Sequence, residues 1–267
     1  MIICAGSVLN SKLHQVKKLN DWREPLNWIY GIHAVQSLLK SAPERVLQLR
    51  LQRNRNDARL QKVQRLAEQQ QIAFQWASAD ELNQLVDGRH QGVAAECAEG
   101  ETHDESYLFE LLAKSEKPPL FLVLDGITDP HNLGACLRSA DGAGVAAVII
   151  PRDNSVGITP VVAKVACGAA ETVPLVVVTN LARCLDKLRA EGVWTVGAAG
   201  EAESSLYDLD LTGSIAILLG AEERGMRRLT REQCDYTAKL PMAGSVSSLN
   251  VSVATGVFLY EAVRQRR

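Results

Sequence analysis

The sequence predicts an α/β protein in two parts, a small N-terminal α/β unit and a larger C-terminal domain built on a parallel sheet. Three observations point there. From residue 120 onward, short and almost purely apolar runs recur (LFLVLDG, VAAVIIP, VPLVVVT, VWTVGAAG, IAILLG, YTAKLPM). Amphipathic stretches of helical length separate them. Strands apolar on both faces and joined by helical crossovers belong to a parallel sheet covered on both sides. Finally, 267 residues suffice for one large domain or two smaller ones with a sizeable core.

Taken in order, residues 1–27 read as a polar, flexible extension. Its basic residues follow its short apolar patch, the wrong order for a secretory signal. Residues 28–98 alternate helical and extended pieces: GIHAVQSLLKSA, RVLQLRL, DARLQKVQRLAEQQ, AFQWA, SADELNQLV and GVAAECA. Ser78 and Glu81 are spaced as a capping box. Residues 99–117 open acidic, hold only a short YLFELL helix and run up to Pro118-Pro119, so the inter-domain linker is expected there. Residues 118–267 form the second domain. Its expected helices are NLGACLRSADGAG, TPVVAKVACGAAE, NLARCLDKLRAEG, MRRLTREQC and SLNVSVATGVFLYEAVRQ.

Composition excludes several classes. No apolar run reaches the roughly 20 residues of a membrane span. The six cysteines are scattered without CxxC or clustered histidines, so no metal site is expected, and buried thiols in a reducing cytoplasm are. Net charge is −2, but residues 45–65 gather Arg45, Arg50, Arg53, Arg55, Arg59, Lys62 and Arg65 around one acid, Asp57. Such a stripe can neutralise phosphates, and it can also be a solvated helix face.

Four segments invite a chemical reading. Gly142, Gly144 and Ala147 mimic a dinucleotide fingerprint, but the helix precedes them and the strand follows. That reversed order fits a helix stop and disfavours a nicotinamide dehydrogenase. Asp129-Pro130 turns the chain into a helix carrying Asn132 and Arg138, which an N-cap and a surface arginine would also explain. Strand ILLG runs into Glu222, Glu223, Arg224 and Gly225 beyond its carboxyl end, where α/β sheets bind ligands. Lastly, Pro241 to Ser252 concentrates small hydroxyl and amide side chains before the final helix. One cap accounts for one of them, not for all.

Together these segments resemble the SpoU branch of the SPOUT superfamily of RNA ribose 2′-O-methyltransferases. Asn132-x-Gly134-x-x-x-Arg138-x-Ala140 looks like its first motif. Leu219-Gly220-x-Glu222-x-x-Gly225 looks like its second, and Pro241-Met242-x-Gly244-x-x-Ser247-Ser248-Leu249-Asn250-Val251-Ser252 its third. WIYGIHAVQSLL and HQGVAAE look like the family's substrate-binding domain. The resemblance implies a deep trefoil knot holding S-adenosylmethionine (AdoMet) largely by backbone. By position it implies cofactor contacts at Gly197, Gly200, Leu219, Gly220, Leu240, Met242, Ser248 and Leu249. It implies Arg138 at the ribose 2′-hydroxyl, as base or as electrostatic clamp, with Asn132 and Glu222 positioning it. Ser248 and Asn250 would hold substrate or loop. It further implies a homodimer acting on RNA, nearest to the bacterial enzymes that methylate a 23S rRNA guanosine. Arg45, Arg53, Arg55, Arg59 and Arg65 would then bind RNA. A tRNA substrate and a non-catalytic RNA-binding module are the competing expectations.

Overall fold

The computed structural model describes residues 27–55, 57–98, 102–221 and 224–267. The first 26 residues of the expected extension lie outside this set.

The N-terminal sheet comprises β1 (Asn27–Tyr30), β2 (Val46–Gln52), β3 (Phe74–Ala77) and β4 (Val93–Cys97), in the order β1-β4-β2-β3. Strand β1 was not expected from its sequence; four residues are too few to display a period. It pairs antiparallel with β4. Helices α1 (Ile32–Ser41) and α2 (Ala58–Gln69) cover one face, burying Val35, Leu38, Leu39, Leu60 and Val63 against Leu49, Leu51 and Val93. Helix α3 (Ala79–Leu85) covers part of the other face through Leu82, beside Trp28 and Tyr30. Its start has the expected capping box: Glu81 N–H donates to Ser78 Oγ at 3.1 Å, and Ser78 N–H to Glu81 Oε2 at 2.6 Å.

The stretch expected as a linker is largely part of the second domain. Helix α4 (Glu105–Lys114) buries Leu108 against Phe121, Val123 and Val176. Just before it, His103 bridges to the sheet edge, its N–H donating to Leu175 O and its carbonyl accepting from Val177 N–H, both at 2.8 Å.

The second sheet holds β5 (Leu120–Asp125), β6 (Ala147–Pro151), β7 (Leu175–Val178), β8 (Trp194–Ala198), β9 (Ser204–Ser205), β10 (Ile215–Gly220) and β11 (Tyr236–Lys239). Its order is β7-β6-β5-β10-β8-β11-β9, and every pairing is parallel. Alternate residues of β5 and β10 face opposite layers. Leu122, Leu124, Ile217 and Leu219 pack against α5 (Pro130–Ala143), α6 (Pro160–Ala166) and α9 (Val251–Gln265). Phe121, Val123, Ala216 and Leu218 pack with α4 and α7 (Leu181–Ala190). The short α8 (Arg228–Glu232) leads into β11. Helix α5 ends at Gly144 in a left-handed conformation (φ 69°), with its N–H on Ala140 O and Asp141 O, the helix stop read from the sequence.

The segment expected as one helix over 159–171 is broken by left-handed Cys167 and Gly168. That break makes a docking point. A Cβ on Gly168 would lie 2.2 Å from Ser37 Oγ, which donates to the Gly168 carbonyl at 3.3 Å. Lys164 Nζ stands 4.2 Å from the Tyr30 ring centroid. Arg45, expected on the RNA-facing stripe, instead pairs with buried Glu171 and donates to Ala98 O at 3.0 Å. A carboxylate withdrawn from water at a domain contact needs a counter-ion, and Arg45 supplies it.

Burial pushes the Glu171 carboxyl up, against the pull of Arg45. Arg45→Ala is therefore expected to lower stability by about 3 kcal/mol near neutral pH, measured by denaturant unfolding. Without Arg45 the folded-state pKa of Glu171 rises further above its unfolded value. The folded variant then binds the extra proton, so its deficit narrows as pH falls.

Candidate active site

Because all seven strands run parallel, their carboxyl ends meet at one edge, and the loops there form a cavity of about 340 Å³. Ala198 closes β8 and Ala199 to Glu201 follow it, Leu219 to Ala221 close β10, and Leu240, Met242 and Ser247 to Leu249 follow β11. Val251, Ala254 and Phe258 of α9 complete it. Seven of the eight expected cofactor residues line it: Gly200, Leu219, Gly220, Leu240, Met242, Ser248 and Leu249.

Gly197 does not. A Cβ there would lie 2.7 Å from both Cys234 Sγ and Met226 Cε. Its smallness serves packing behind the cavity, where burial also pushes the Cys234 thiol up to about 12.

The far wall is a backbone return. After β10 the chain folds back so that Gly225 N–H donates to Ala221 O at 2.8 Å. A Cβ on Gly220 would lie 2.0 Å from Gly225 C and Met226 N, so only glycine fits. Asp125, the buried last residue of β5, anchors this return by accepting from Arg227 N–H at 2.9 Å and Arg227 Nε at 2.7 Å. Sequence reasoning missed this pair; its only signal was an acid closing an otherwise apolar strand. Glu222 lies outside the described residues.

The first and third segments meet directly. Asn250 caps α9, its Oδ1 accepting from Ser252 N–H at 2.9 Å and Ser252 Oγ at 2.6 Å, while its Nδ2 donates to Asn132 Oδ1 at 3.0 Å. The last helix therefore starts at Val251, not at Ser248, and Ser247 to Leu249 stay free to line the cavity. The N-cap of α5 is Asp129, which accepts from His131 N–H at 2.9 Å with Pro130 in the first turn. Helices α5 and α9 are packed together, with Cys136 Sγ 3.3 Å from Thr255 Oγ1. Arg138 projects from α5 into solvent and does not line the cavity. Among the described residues it has no hydrogen-bond or ion-pair partner.

Of the expected RNA-binding arginines, Arg53, Arg55, Arg59 and Arg65 are exposed; Arg45 is committed to the domain contact. Arg55 pairs with Asp57 at 3.0 Å. Among the described residues no cluster of acidic, histidine or cysteine side chains is arranged for a metal, and no helix is long and apolar enough to cross a membrane.

Solved structures share this fold. Residues 119–260 match the SpoU rRNA Methylase family, and residues 28–103 match an RNA 2′-O ribose methyltransferase substrate-binding domain. The 23S rRNA (guanosine-2′-O-)-methyltransferase RlmB of Pseudomonas putida is 59% identical over 91% of this chain and 98% of its own. That of Escherichia coli K12 is 54% identical over 89% and 98%. The crystal structure of the SpoU methyltransferase AviRb from Streptomyces viridochromogenes, in complex with AdoMet, superposes with a TM-score of 0.72 at 25% identity over 90% of each chain. With a family model spanning more than half of its length and such relatives spanning nearly all of it, the chain belongs to the SpoU rRNA methylase family.

Proposed function

We propose that this chain methylates the ribose 2′-hydroxyl of a guanosine in 23S rRNA, in the cytoplasm, using AdoMet. The observation that carries the reading is the Asn132–Asn250 bond, which ties the helix bearing Arg138 to the loop that walls the cavity. The cavity suits AdoMet: a few hundred cubic ångströms is cofactor-sized, glycine and alanine expose backbone donors and acceptors, and Leu240 and Phe258 offer apolar surface. When bound, AdoMet supplies a methyl group already activated by its sulfonium charge.

What remains for the chain is to align the 2′-oxygen and stabilise it as its proton leaves. Arg138 is free to do so. An arginine guanidinium keeps its proton in proteins, so Arg138 acts as a clamp on the phosphate and the developing oxyanion rather than as a base. Asn132 and Asn250 hold its helix in register with the Ser247 to Leu249 loop. By family resemblance Glu222 orients Arg138 and Ser248 contacts the substrate.

The same reading includes a trefoil-knotted carboxyl end, with the segment after β11 drawn through the chain before α9; supporting it, residues that follow β8, β10 and β11 line one cavity. It also includes a homodimer through α5 and α9. Supporting this, Val253 and Tyr260 of α9 are more than half exposed. Light scattering is expected to give twice the chain mass.

The test incubates the protein with labelled AdoMet and either unmodified 23S rRNA transcript or tRNA, and maps the product by primer extension. A stop at one guanosine of 23S rRNA supports the reading; label in tRNA alone overturns it. RNA binding should weaken by orders of magnitude between roughly 50 and 200 mM salt. Replacing Arg53, Arg55, Arg59 and Arg65 by glutamine should lower the log–log salt slope by about 3, read by fluorescence anisotropy.

A further inference from the structure

We propose that Trp76, on the open edge of the N-terminal sheet, is a stacking platform for one unpaired base of the RNA. This rests on the proposed RNA substrate and names how a part of it is held. Strand β3 is the outer strand of its sheet, and Trp76 is 45% exposed there. Its register partner Leu51 is fully buried, so Trp76 stands on the helix-covered face but beyond the cover.

The ring is supported from within. Phe74, half-buried in the core, meets it edge-on at 5.4 Å between centroids and 87° between planes. Arg53 reaches across the strand end, where its Nε and Nη2 donate to the Trp76 carbonyl at 3.3 and 3.1 Å and its N–H donates to Ala77 O at 2.8 Å. The guanidinium is thus bonded to a carbonyl beside the ring rather than to a carboxylate.

Phe74 and Trp76 together present an aromatic surface at the open sheet edge. The charge around it selects the occupant. Arg53 adjoins the strand end with Glu81 in its field, Arg55 beside it is paired with Asp57, and Arg59, Lys62 and Arg65 follow on α2 with no acid among the described residues bonded to their side chains, all exposed. An aromatic face inside a basic surface fits a base whose backbone lies on the arginines. The base must be unpaired, because a duplex keeps its faces stacked. A second exposed pair, Trp194 and Tyr236 at 5.8 Å, lacks this setting: the neighbouring Arg189 is tied to Asp235 and Asp186. It serves as an internal control.

The test titrates the full chain with a single-stranded RNA oligonucleotide and with the same sequence as duplex, at fixed salt, reading tryptophan fluorescence and anisotropy. Trp76→Ala should bind the single strand about tenfold more weakly. Duplex affinity, the salt slope and AdoMet affinity should be unchanged. Trp76→Phe should recover most of the affinity but lose the fluorescence quenching that wild type and Trp194→Phe retain. Melting curves identify any variant that fails to fold, and Trp76→Phe then carries the test through its quenching. Unchanged single-strand affinity in Trp76→Ala, or equal loss for single strand and duplex, overturns the assignment. Self-association abolished by Trp76→Ala with RNA affinity intact would assign the face to a second copy, and overturns it too. Wild-type methylation of 23S rRNA is scored separately. If it is present while Trp76→Ala has no effect, the platform fails alone; if it is absent, the proposed function fails.

Discussion

Arg138→Ala is expected to slow methyl transfer by about a thousandfold while leaving AdoMet affinity within about twofold. The guanidinium is exposed on α5 and outside the cavity lining, so its removal strips no contact from the cofactor pocket. Its removal takes away the positive charge that would meet the 2′-oxygen as the proton departs. Single-turnover transfer of labelled methyl and calorimetric titration of AdoMet separate the two effects. Lost cofactor affinity with chemistry retained would contradict the assignment. Arg138→Lys restores charge but not the planar fork, so it should recover only part of the rate.

Gly220→Ala is expected to abolish AdoMet binding and to cost about 3 kcal/mol of stability. The new methyl would fall 2.0 Å from Gly225 C and Met226 N, and backbone cannot step aside as a flexible side chain can. Nor is the return free to move, since Asp125 holds it through Arg227 and Ala221 through Gly225. The wall of the cavity would therefore be displaced or the strand end pried apart. Gly200→Ala is the matched control. Gly200 also lines the cavity, but nothing lies within 4 Å of its added methyl. Its unfolding midpoint should stay close to wild type, by thermal melting or urea titration. Equal destabilisation by both variants would remove the steric argument.

The parallel sheet was legible because β5, β6, β7 and β10 are apolar on both faces, a pattern that only two covering layers produce. The three motif segments were legible because each sits just past a strand end. What escaped the sequence was long-range or too short to have a period. Strand β1 has four residues and β9 two. The helix over 105–114 buries only Leu108, so its acidic flank dominated the reading and the boundary was drawn too late. Arg45 looked like one more member of a basic stripe because its true partner, Glu171, lies 126 residues away. The Asn132–Asn250 bond spans 118 residues, so it could not be read from either motif separately.

The contacts of Ser37 with Gly168, Lys164 with Tyr30 and Arg45 with Glu171 join the two sheets into one body. On the proposed reading, such a molecule works as a caliper. One jaw grips the RNA at the arginine face, the other presents the methyl donor, and the gap between them is set by packing. Every ribose in a large RNA offers the same hydroxyl, and chemistry alone cannot choose among them. A rigid span can, by accepting only the sugar that the folded RNA presents at the matching distance.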